Sequence, residues 1–102
     1  MYVLTGIINF AKGKGSGPRR KTAEVKFPRD VSQAFVVMTS FQGGFSPNDD
    51  HEFGRLSVEL SIDGISGRVV TVEGSLGVRD WSGNWDDYYQ GYVGFAVLAH
   101  LQ

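Results

Sequence analysis

Residues 55–62 alternate without a fault. Leu56, Val58, Leu60 and Ile62 have one parity, and Arg55, Ser57, Glu59 and Ser61 have the other. An extended strand with one buried and one wet face sends alternate side chains to opposite sides. A helix would scatter the same four apolar residues around its circumference. No segment of the chain holds a helical period for ten residues, so the expected fold class is all-β.

The remaining segments fit that class. Residues 2–10 are rich in β-branched and aromatic types and read as a first strand. Residues 11–21 contain Gly15-Ser16-Gly17-Pro18 and read as a mobile surface loop. Residues 24–28 alternate, with Val25 and Phe27 inward, and stop at Pro28. Residues 34–41 are a nearly continuous apolar run, which predicts a strand buried on both faces. Asp63-Gly64 and Ser66-Gly67 mark the turn after the alternating strand. Residues 68–78 and 92–101 complete the set. About six strands with regular turn signals predict a small antiparallel β-sandwich. At 102 residues the chain is expected to be one domain, residues 1–102.

In residues 92–101, Val93, Phe95, Val97, Ala99 and Leu101 form a core face. Tyr92, Gly94, Ala96, Leu98 and His100 form the other, which is also mostly apolar. A strand covered on both sides in so small a sandwich needs a second subunit as its outer cover. A homo-oligomer is therefore expected.

Composition narrows the function classes. The formal net charge is −1, so no global field selects nucleic acid or an anionic membrane. There is no cysteine, which removes disulfides, thiolate zinc sites and a thiol nucleophile. The N-terminal residues lack the pattern of a secretory signal, and no apolar run approaches the ~18–20 residues that span a bilayer. The expectation is a soluble protein without membrane insertion, made without a classical export signal. His51 and His100 share neither a strand nor a helical turn, so no preorganised zinc site is expected.

Chemistry concentrates in residues 79–92. Both tryptophans, Trp81 and Trp85, lie there with Tyr88, Tyr89 and Tyr92, and with Asp80, Asn84, Asp86 and Asp87. Gly83 and the polar cluster make this an expected loop. Rings on a polar loop have something to cover or to bind. Ring faces beside carboxylates and amides suit a polyhydroxylated ligand, so Asp80, Trp81, Asn84, Trp85, Asp86 and Tyr88 are candidate glycan-binding residues. The competing reading is that the rings lid one end of the sandwich while the aspartates face water. Asp80, Asn84, Asp86 and Asp87 are also candidate calcium ligands, because hard cations collect oxygen donors from such loops. The spacing is not that of an EF-hand: position twelve from Asp80 is Gly91 rather than an acid. A second acidic stretch, Asn48-Asp49-Asp50-His51-Glu52, would contribute only if both loops share one end of the sandwich.

Catalysis finds little footing. No Gly-x-Ser-x-Gly elbow and no local serine–histidine pairing is present, and two carboxylates on one exposed loop are ordinarily solvated. The chain is expected not to be an enzyme. Lys12, Lys14, Arg19, Arg20 and Lys21 hold half of the ten basic residues, and a solvated loop accounts for them without a nucleic-acid partner. Phe41, Phe45 and Phe53 are expected to staple the second acidic loop to the core.

Glu24-Val25-Lys26-Phe27-Pro28, Ala34-Phe35-Val36-Val37, Arg55-Leu56-Ser57-Val58, Asp63-Gly64-Ile65-Ser66-Gly67, Val69-Val70-Thr71-Val72 and Val97-Leu98-Ala99 together resemble the H-type lectin domain over about residues 24–101. The resemblance implies a six-stranded antiparallel sandwich, trimers built by sheet packing, and sugar binding near subunit boundaries. Arg55 takes the place of that family's strand arginine and becomes a candidate ligand residue by this resemblance. Ser75 and Leu76 stand where the family places an aromatic and a polar or histidine residue, and the loop of residues 79–91 is an insertion against its pattern. Two function classes follow: a lectin-like module made multivalent by oligomerisation, and a non-enzymatic structural or assembly subunit whose aromatic loop contacts protein.

Overall fold

The structure, a computed structural model, describes residues 1–46 and 52–102. Six strands follow in order: β1 (Tyr2–Gly13), β2 (Arg19–Lys26), β3 (Val31–Phe45), β4 (Arg55–Ser66), β5 (Val69–Arg79) and β6 (Tyr89–Leu101). They form two three-stranded sheets, β1-β6-β3 (sheet I) and β2-β5-β4 (sheet II). Every pairing is antiparallel. The all-β antiparallel sandwich expected from the alternation is the fold observed.

The core lies between the two central strands. Val70, Val72, Leu76 and Val78 of β5 face Val93, Phe95, Val97 and Ala99 of β6, all buried. Leu56, Val58, Leu60 and Ile62 pack against this core but stay partly exposed, because β4 is an edge strand. The β4–β5 hairpin turns at Gly67, whose φ of 59° is in the left-handed region that glycine enters without strain.

Three expectations are corrected. Residues 34–41 are not buried on both faces: β3 is an edge strand, and Phe35, Val37, Met38 and Phe41 are exposed. An apolar run reveals two apolar faces, not whether this chain supplies both covers. Residues 11–21 are not one loop, since β1 continues to Gly13 and β2 begins at Arg19. The Arg19 guanidinium explains the early start: it packs over the rings of Tyr89 and Phe10, and its Nη2 donates to the Tyr89 carbonyl at 2.9 Å. Finally, Asp63-Gly64 is not part of the turn. The register shifts there between Ile62 and Gly64, and the strand runs on to Ser66.

Charge divides between the sheets. Arg19, Arg20, Lys21, Glu24 and Lys26 are on β2, Arg55, Glu59 and Asp63 on β4, and Glu73 and Arg79 on β5. On β1, β3 and β6 the only Asp, Glu, Lys or Arg is Lys12. Sheet I thus has an outer face almost free of charge.

Candidate functional site

The loop between β5 and β6 spans residues 80–88 and is held by its own polar groups. The Ser82 backbone N–H donates to Asp80 Oδ1 at 2.8 Å, and the Asn84 N–H donates to Ser82 Oγ at 3.2 Å. Gly83, with φ 84°, supplies the left-handed turn between them. The Gly54 N–H donates to the Arg79 carbonyl at 2.9 Å, and the Asp80 carbonyl lies so close that a Cβ at Gly54 would collide with it. Arg55, exposed at the start of β4, pairs in register with Arg79 at the root of this loop.

The two tryptophans part company. Trp81 is 74% exposed. Trp85 is half-buried against β5: a Cβ at Gly77 would sit 2.8 Å from its ring, and the Arg79 guanidinium lies 5.6 Å from the ring centroid. Trp85 therefore covers the outer face of β5 at Gly77, opposite to core Leu76 and Val78, and of the two tryptophans Trp81 alone offers a free ring face. Tyr89, one of the tyrosines assigned to the loop, is a core residue with no exposed surface, and its hydroxyl donates to the Leu76 carbonyl at 2.9 Å. Tyr88 remains exposed, with Lys12 and Lys14 ammoniums 5.3 and 5.0 Å from its ring centroid.

The oxygen ligands proposed for calcium sit in different surroundings. Asp80 caps its own turn, Asp86 is exposed and Asp87 is largely buried. Among the described residues no three His, Asp or Glu side chains form a group that would hold a metal. Most of the second acidic stretch, residues 48–51, lies outside the described residues. Of the three phenylalanines flanking it, Phe45 packs on the core while Phe41 and Phe53 are exposed, so only Phe45 acts as a staple.

A different site lies across sheet I. A groove of about 510 Å³ runs over β1, β6 and β3 and is lined by Asn9, Gln42, Gly44, Gln90, Gly91 and Tyr92 among others. Register places Asn9, Tyr92 and Gln42 in one row, with Gln90 and Gly44 paired in a neighbouring one. These residues have the parity of Ile7 and Ala96, so their side chains stand on the outer face. The floor is low at Gly44, whereas Gly91 has the inward parity of Val93 and Phe95. A Cβ at Gly91 would collide with the Gln42 carbonyl, whereas a Cβ at Gly44 would meet nothing within 4 Å. Gln90 is held in place by Ser46, whose Oγ donates to Gln90 Oε1 at 3.1 Å. Among the described residues Lys12 is the one charged member of the lining.

None of Arg55, Asp80, Trp81, Asn84, Trp85, Asp86 and Tyr88 lines this groove. The sequence marked it only through glycines inside strands, which signal a bulge or a close approach of backbone or ligand. No family model, curated protein or solved structure matches the chain.

Proposed function

We propose that this chain is a non-enzymatic carbohydrate-binding module whose ligand lies in the groove across sheet I. The observation that carries this reading is the groove's lining: three amides and a tyrosine over a glycine floor. Each amide offers both a donor and an acceptor, which is what vicinal hydroxyls require. Tyr92 adds an aromatic ring, and the absent side chain at Gly44 lets a flat ligand approach the backbone. The volume falls in the range of about 300–1,000 Å³ usual for small-ligand sites. The exposed ring of Trp81 is a second flat surface of the kind sugars use.

A glycan array with three proteins tests the proposal. Wild type is expected to bind a defined set of glycans, competed by free sugar. Gly44→Leu fills the groove from a position with open space and is expected to lose that binding while staying folded. Binding kept by Gly44→Leu and lost by Trp81→Ala would move the site to the loop. A wild type that binds no glycan would remove the reading.

A second reading, a structural assembly module, is favoured by the nearly uncharged outer face of sheet I.

A further inference from the structure

We infer that the apolar half of the sheet I outer face pairs with a second copy of this chain. Val3, Leu98 and Phe35 form one row across the three strands, Thr5, Ala96 and Val37 the next, and Ile7, Gly94 and the polar Ser40 a third that bounds the patch. Val3 is 51%, Ile7 57%, Phe35 48% and Val37 48% exposed. Contiguous exposed apolar surface of this kind marks an interaction site, and charge is depleted at interface centres.

The chemistry points to a copy of the same chain. In a two-fold pairing each patch meets itself, so a charge near the axis meets its own like charge. These rows contain no Asp, Glu, Lys or Arg, so self-pairing carries no such penalty. They also offer no charge by which a different partner would be selected. Relief suits self-pairing: along β6 Leu98 stands as a knob beside the low line of Gly94 and Ala96, which Thr5 and Ile7 flank on one side and Val37 and Ser40 on the other.

Area sets the strength. Strands about 4.8 Å apart with a rise of about 3.4 Å per residue give these rows and their margins a footprint on the order of 500 Å². A pair then buries on the order of 1,000 Å², the lower bound for a specific interface, so association is reversible and concentration-dependent. A self-complementary face is used up by one partner across a two-fold axis, which gives a pair rather than a trimer. The groove begins at the row of Asn9, Tyr92 and Gln42, beyond the apolar rows, so this inference does not depend on the carbohydrate reading.

Sedimentation velocity from about 1 to about 500 µM tests the pairing. The 11.2 kDa chain is expected to shift from monomer to pair across that range. Val37→Lys is expected to stay monomeric with an unchanged melting temperature. Mixing it with Val37→Glu is expected to restore the pair, which a loss of folding would not permit. A wild type monomeric throughout overturns the inference, as does an assembly that Val37→Lys leaves intact, or a trimer. A monomer that floats with phosphatidylcholine vesicles would assign the face to lipid and overturn it equally. Gly44→Leu leaves this assay unchanged, so failure of pairing and failure of glycan binding are read separately.

Discussion

Arg19 lies against Tyr89, its guanidinium carbon 4.5 Å from the ring centroid, and the same side chain donates to the Tyr89 carbonyl. One residue thus joins the first residue of β2 to the first residue of β6, across the two sheets. The ring is buried, and its hydroxyl holds the Leu76 carbonyl of β5. Arg19→Ala removes both the stacking and the charge-assisted hydrogen bond, for an expected loss of about 2–3 kcal/mol in urea unfolding. Arg19→Lys should recover only part of it, because an ammonium lacks the planar face. Equal stability of wild type and Arg19→Ala would show that the stack is ornamental.

The two tryptophans should differ in the same assay. Trp85→Ala uncovers the outer face of β5 at Gly77 and is expected to cost about 2–3 kcal/mol, below the full-burial range because the ring is half-exposed. Trp81→Ala touches an exposed ring and is expected to stay within about 0.5 kcal/mol. A reversed order would mean that the loop packs through Trp81.

Two strand glycines should respond oppositely to a side chain. Gly91→Ala drives a Cβ into the Gln42 carbonyl and is expected to lower the melting temperature by roughly 5 °C or more. Gly44→Ala enters open space and is expected to be neutral or mildly stabilising, by up to about 1 kcal/mol through the unfolded chain. Differential scanning fluorimetry on both variants is sufficient.

Calcium should leave the protein unchanged. Asp80 is occupied by its own turn, and no acidic group of three gathers among the described residues. A ligand that bound the native state would raise the melting temperature by mass action. Melting curves in chelator and in millimolar calcium are expected to coincide.

The strand pattern was legible where one face met the core and the other met water, as at Leu56, Val58, Leu60 and Ile62. It misled at Phe35 and Val37, because an apolar outer face reads locally like a second buried face. Tyr89 looked like a loop ring from its acidic neighbours. Stepping back two residues at a time from Phe95 and Val93 through Gly91 reaches it, so the core parity was present in the sequence. The groove was not legible. Asn9, Gln42 and Gln90 are far apart in the chain and meet only because β6 runs between β1 and β3. Charge segregation was visible strand by strand, but pairing was needed to show that the neutral strands share one sheet.

That pairing also governs the order of assembly. β1 and β3 bond to β6 and not to each other. During synthesis, therefore, no ladder of sheet I can form until residues 89–101 have emerged, while β2, β4 and β5 can already zip together. The wait leaves Val3, Ile7, Phe35 and Val37 on unpaired strands, and such non-local closure folds slowly. A nascent chain halted before Tyr89 is expected to be the form most in need of a holdase, and the sheet with the fewest charges is the one left waiting.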